Sequence, residues 1–129
     1  MASRALFVTQ FYTAMVNDPE LIESLDYSCR ILARDDKAGR AWSKENHYSG
    51  YTSYSSVEDL VVRDPVFDDL RRIIDGHVKR FAVACGFEGQ RRKFKLQNIW
   101  ANVMKPGAIH GGHIHPKSVI SGTFYVALP

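Results

Sequence analysis

The sequence predicts an α+β chain. Two helical stretches, each announced by an Asp-Pro step, precede a C-terminal part whose apolar residues recur with a period of two. A short opening run rich in β-branched and aromatic residues adds a strand at the front.

That opening run is Ala5-Leu6-Phe7-Val8-Thr9-Gln10-Phe11-Tyr12. After it, Asp18 is the expected N-cap of a first helix and Pro19 its first helical residue. Leu21, Ile22, Leu25, Cys29 and Leu32 follow at helical spacing and give one apolar face, and the helix is expected to fade between Asp35 and Gly39. Residues 40–56 read as a loop. Trp42, His47, Tyr48, Tyr51 and Tyr54 sit there among Ser, Gly, Asn and Lys with no clear period. Such a segment forms the lid or wall of a pocket, or an ordered surface loop.

The second helix has the same start signal in Asp64 and Pro65. Phe67, Leu70, Ile73, Ile74, His77, Val78, Phe81, Ala84 and Cys85 mark its buried side, and Gly86 ends it. His77 on that face is expected to be a satisfied core or boundary histidine and not a ligand. From Phe94 the period is two: Phe94, Leu96, Asn98, Trp100 and Asn102 share one side and Lys95, Gln97, Ile99, Ala101 and Val103 the other. Lys105-Pro106-Gly107 breaks this strand, and Thr123 to Leu128 read as another.

The bulk properties narrow the class. A chain of 129 residues, 45% hydrophobic and 24% charged, is expected to form a single globular domain over residues 1–129. No apolar run approaches the ~20 residues that cross a bilayer. The N-terminus is too short in apolar residues and too polar for a signal peptide, so a cytoplasmic protein with no membrane partner is expected. Cys29 and Cys85 fall on separate helices without a CxxC spacing and are expected to be a reduced pair. The net charge of +3 is mild. The dense cluster Arg91-Arg92-Lys93-Phe94-Lys95 reads as a solvated loop leading into a strand, and no recognised motif around it supports nucleic-acid binding.

The chemistry-bearing stretch runs from Lys105 to Pro116. Three of the five histidines, His110, His113 and His115, lie within six residues. In extended backbone, residues two apart project to one face with roughly 6–7 Å between Cα atoms, so His113 and His115 can converge on one metal ion. His110 is offset across two glycines, and its direction is open. Imidazole suits zinc, copper, iron and nickel, so the donors alone do not name the metal. The preceding Trp-x-Asn strand and the following aromatic strand place the pair at a sheet mouth. Gly107 followed by His113-x-His115 also matches the opening of the cupin metal motif, but Val119 and Ile120 stand where the cupin glutamate would be.

Asn98-Ile99-Trp100-Ala101-Asn102, then Gly107, then His113-Ile114-His115-Pro116, then Ser121-Gly122-Thr123-Phe124-Tyr125-Val126 resembles the 2-oxoglutarate/Fe(II)-dependent oxygenases of bacteria and phages. Ser49 to Ser53 and Phe67 to Leu70 look similar too, less specifically. The resemblance implies a double-stranded β-helix (jelly-roll) core with N-terminal helices packed outside. It implies Fe(II) and 2-oxoglutarate as cofactors, and hydroxylation of a small-molecule or peptidyl substrate while 2-oxoglutarate becomes succinate. His113 matches the first histidine of the superfamily's 2-His-1-carboxylate triad, and His115 stands where the carboxylate usually is. His110 ranks first as a further metal ligand, ahead of His47 and His77, and Asn102 and Tyr125 are candidate 2-oxoglutarate contacts. The superfamily's distal histidine and carboxylate-anchoring basic residue lie well downstream of this motif, so an incomplete jelly roll is expected. A truncated product, a fragment, a chain completed by a partner, or a homodimer through the unpaired terminal strand would account for it. The alternative function is a non-catalytic or cupin-like metal-binding domain.

Overall fold

A computed structural model describes residues 3–4, 6–87 and 94–128. Its first helix, α1 (Pro19–Asp35), starts as the sequence dictates. The Asp18 carboxylate accepts the Leu21 N–H at 3.1 Å, and Pro19 sits where no intrahelical donor is needed. The long helix α4 (Pro65–Ala84) repeats the device, with Asp64 accepting the Val66 N–H at 3.1 Å. The Ser28 hydroxyl of α1 donates to the other Asp64 oxygen at 2.6 Å, so one carboxylate caps α4 and ties it to α1. Leu21 and Leu25 of α1 meet Phe67 and Leu70 of α4 in the core, which Val57, Leu60 and Ala101 complete. Leu60 opens a single helical turn, α3 (Leu60–Arg63), just before α4.

Residues 40–56 differ from the expected loop. α1 does stop at Asp35, but a second helix, α2 (Lys37–Glu45), begins two residues later. Asp36 makes the junction. Its carboxylate accepts from the Gly39 N–H at 2.9 Å, the Tyr51 hydroxyl at 2.8 Å and the Ser56 hydroxyl at 2.5 Å. Burial alone would raise the Asp36 pKa, but these donors and the Ala38 N–H outweigh it and hold the carboxyl below its ordinary value. Gly39 is needed here, because a Cβ would collide with the Asp36 carboxylate and come within 2.7 Å of Ser56 Oγ and 2.8 Å of Thr52 O. Ser43 satisfies its buried hydroxyl on Gly39 O at 2.7 Å, a local bond that a period count cannot register.

After α2, β1 (Gly50–Thr52) pairs antiparallel with β2 (Asn102–Met104) in the register Gly50↔Met104, Tyr51↔Val103, Thr52↔Asn102. Ser53 extends the pairing with its side chain. Its N–H donates to Ala101 O, and its Oγ accepts the Ala101 N–H, both at 3.0 Å. The described architecture is therefore mixed helix and sheet with one two-stranded antiparallel sheet, and a jelly roll is not among the described elements.

Three expected strands are corrected. Residues 6–12 form no strand, and Phe7 is fully exposed; a β-prone run without a ladder partner has nothing to pair with. From Phe94 only Asn102–Met104 is strand, since β1 and Ser53 offer partners only as far back as Ala101. Residues 123–128 form no strand either, although Phe124 and Val126 lean on the core while Tyr125 faces out. The basic run Arg91–Lys93 lies outside the described residues.

Cys29 and Cys85 are free, and burial, with the Asp26 and Asp64 charges behind it, pushes the Cys29 thiol up to about 11. His77 is the expected satisfied boundary residue. Arg80 Nη2 can only donate, so His77 Nδ1 accepts it at 2.9 Å, and accepts the Tyr12 hydroxyl at the same distance. No helix among the described residues is long and apolar enough to cross a membrane.

Candidate metal centre

The chain leaves β2 through a turn at Lys105–Ala108 that Gly107 permits with φ of +77° and the Ala108 N–H closes on Lys105 O at 3.0 Å. A second turn follows the histidines, the Ser118 N–H donating to His115 O at 3.2 Å. Between these turns the three histidine rings stack edge to face. His110 and His113 centroids are 4.6 Å apart, as are those of His113 and His115.

The tautomer of His113 is set by its backbone. Nδ1 lies 2.9 Å from Gly111 O, and a carbonyl only accepts, so Nδ1 carries a proton. In the neutral ring Nε2 is then bare. It lies 3.0 Å from Nε2 of His115. Without a metal the His115 Nε2–H donates across this gap. A metal ion at this place would be held by these two nitrogens, which lie close enough together to share it. A ligating histidine whose other ring nitrogen donates to a backbone carbonyl is also the usual arrangement in metal sites.

His110 is placed differently. Its Nδ1 shares a 2.7 Å hydrogen bond with the Tyr48 hydroxyl, and the rings meet edge to face at 5.5 Å. Either tautomer makes this bond. Only the one in which Nδ1–H donates to Tyr48 leaves Nε2 to a metal. Burial raises the Tyr48 phenol, which stays protonated at neutral pH. His115 is held from the other side by Trp100 at 5.5 Å, which packs on Tyr54 at 5.3 Å, which packs on Trp42 at 6.2 Å. Trp42, Tyr48 and Tyr54, three of the aromatic residues of 40–56, thus stand behind the histidines.

The donor set fits a metal only in part. His113 and His115 would offer two nitrogens, 3.0 Å apart. Among the described residues, however, no three His, Cys, Asp or Glu side chains group to hold an ion. Asn102, exposed at the head of β2, and Tyr125, also exposed, make no described hydrogen bond or ring contact with the histidines. His47 and His77 lie apart from the cluster.

Residues 98–129 match the family described as "Putative 2OG-Fe(II) oxygenase". No curated protein matches the chain. The oxygenase match begins at Asn98 and takes in all three clustered histidines, Trp100, Asn102 and Tyr125. The family brings Fe(II) and 2-oxoglutarate with it. Its matched segment in this chain contains no Asp or Glu, so a carboxylate ligand cannot come from residues 98–129.

Sequence reasoning missed the partnership of Tyr48 with His110 and of Tyr54 with Trp100. It also missed three cations, Arg40, Lys44 and Lys105, that share a cavity of about 780 Å³ with Tyr48. Tyr48 and His110 are 62 residues apart, and only the β1–β2 register brings their segments together.

Proposed function

We propose that this chain is an Fe(II)- and 2-oxoglutarate-dependent oxygenase, a hydroxylase, with His113 and His115 as two of its metal ligands. The observation that carries this is the bare Nε2 of His113, fixed by Gly111 O and set 3.0 Å from Nε2 of His115, inside the segment that matches the oxygenase family. Bound Fe(II) with 2-oxoglutarate supplies oxidation of a substrate C–H bond by dioxygen, with 2-oxoglutarate leaving as succinate and carbon dioxide.

The chain's own residues do the holding. Gly111 O orients His113, and Trp100 with Tyr54 fixes His115 and covers one side of it. His110 is the nearest further imidazole, positioned by Tyr48. Asn102 and Tyr125 are the proposed 2-oxoglutarate contacts, and the double-stranded β-helix that accompanies this chemistry would draw on β2. Imidazoles in place of a carboxylate leave the site one negative charge short, so Fe(II) binds more weakly than in a complete triad.

An anaerobic titration with Fe(II) plus 2-oxoglutarate, followed by visible absorption, tests this. A charge-transfer band that needs both additions, is absent in His113→Ala and His115→Ala, and is followed in air by succinate production is the expected result. No band from the folded chain would sink the proposal. A second function, a metal-binding domain without oxygenase chemistry and cupin-like in motif, draws support from the Gly107 and His113-x-His115 spacing in a segment without Asp or Glu. Metal uptake without succinate would select it.

A further inference from the structure

Between α2 and the two-stranded β1–β2 sheet lies the cavity of about 780 Å³. Arg40 and Lys44, four residues apart and so on one side of α2, line it together with Lys105, the residue after β2. Its described lining contains no Asp or Glu. Among the described residues the arginines of α1, α3 and α4 that face acids are paired: Arg30 with Asp26, Arg34 with Asp35, Arg63 with Asp59, Arg71 with Asp68 and Asp75, and Arg72 with Asp68 and Asp69. Among the described residues Arg40, Lys44 and Lys105 have no carboxylate within ion-pair distance, although the Arg40 charge reaches Asp35 and helps hold its carboxyl low. Three like charges around one concavity repel one another unless an anion sits between them.

The cavity also adjoins the histidines. Tyr48 lines it and hydrogen-bonds His110, and Gly107 and Ala108 of the same lining run directly into the histidine loop. We propose that this cavity is the substrate subsite of the oxygenase centre and takes the carboxylate or phosphate group of a small organic anion. The assignment rests on the function proposed above for the metal pair. A concave site of this volume suits a small ligand, whereas a nucleic acid needs a groove or stripe of charge along its backbone.

The test uses the full chain without metal, at constant ionic strength, titrated separately with inorganic phosphate and with citrate and followed by amide NMR shifts. Saturable shifts centred on Lys44, Ser49 to Tyr51 and Lys105 to Ala108 are expected, and the better of the two probes tells phosphate from carboxylate. Arg40→Glu with Lys44→Glu, exposed positions whose replacement leaves the core alone, should weaken binding at least about tenfold, and Lys105→Ala should weaken it severalfold. His113→Ala should leave it unchanged. Shifts that stay linear in probe concentration, or that survive the charge reversal, would overturn the proposal. So would binding of 2-oxoglutarate more than about tenfold tighter than of citrate or phosphate, which would make the cavity the co-substrate's site, or binding of duplex DNA but of neither small anion. Co(II) uptake measured on the same variants separates the two failures: Co(II) bound with no anion binding ends this inference alone, and anion binding with no Co(II) ends the oxygenase reading and leaves an anion pocket.

Discussion

Asp36 concentrates more structure than any other described side chain. It ends α1, caps α2 and receives hydroxyl donors from Tyr51 of β1 and from Ser56. Tyr51 is pushed far above the ordinary phenol range by burial and by its bond to Asp36, so it remains a donor throughout. The sign of the pH effect follows from the lowered Asp36 value. A carboxyl whose pKa is lower folded than unfolded contributes its full stability above the unfolded value, ~3.9, and loses it as pH falls through the folded value. Asp36→Asn should therefore destabilise the chain at pH 7 by ~1–2 kcal/mol and flatten the acid limb of the stability curve below about pH 4. Urea unfolding at pH 7 and at pH 3 checks it, and equal losses at the two pH values would contradict it. Gly39→Ala places a methyl against the same carboxylate and should cost ~1–3 kcal/mol by overpacking, read as a lower urea midpoint at unchanged slope.

At the scale of elements, α1 and α4 are joined by the Ser28–Asp64 bond as well as by the core leucines. Asp64→Ala removes a cap worth ~1 kcal/mol and leaves the Ser28 hydroxyl without its acceptor, for a total of ~2 kcal/mol. Ser28→Ala alone should cost ~1 kcal/mol, and the double variant less than the sum of the singles, because both delete one bond. Additive losses in urea unfolding would show that the two groups act independently. These helices were legible because their start signals are local: Asp then Pro, with a large apolar residue, Leu21 or Phe67, three positions after the Asp. α2 was not, since its apolar stripe is thin and its stability comes from Asp36, Tyr51 and Ser56, up to twenty residues apart. The strands fared worst. Alternation says which residues can line a face, as it did for Phe124 and Val126, but a strand exists only where another segment offers its ladder. The His113–His115 pair was legible because two residues apart in extended chain is a geometric statement. The wall behind it was not, because Tyr48 and Trp100 meet the histidines, and Tyr54 meets Trp100, only through the fold.

The whole molecule divides by charge and by packing along the same line. All fourteen Asp and Glu residues lie at or before Glu88, while residues 89–129 hold six Lys and Arg and no carboxylate. An anion is drawn to the C-terminal part, which also carries the histidines. That part is lightly anchored. Ile109, Ile114, Val119 and Leu128 are all exposed, and contact with the core comes through Ala101, Ile99, Phe124 and Val126. Segments with few buried apolar contacts open locally at low free energy, so the histidine loop should open far more readily than α1 or α4. A metal that binds His113 and His115 only when the loop is closed stabilises the closed form by RT ln(1 + [L]/Kd), ~2.7 kcal/mol at a hundredfold excess over Kd, which slows exchange through that opening about a hundredfold. The Ser118 amide, bonded to His115 O at 3.2 Å, is the reporter. Its hydrogen exchange should slow on adding Co(II) under argon, whereas that of amides at the centres of α1 and α4 should hold constant until the loop's opening becomes as costly as global unfolding. Slowing at Ser118 that survives His113→Ala would place the metal elsewhere. Equal slowing across all three elements would mean that the loop opens only with the whole fold.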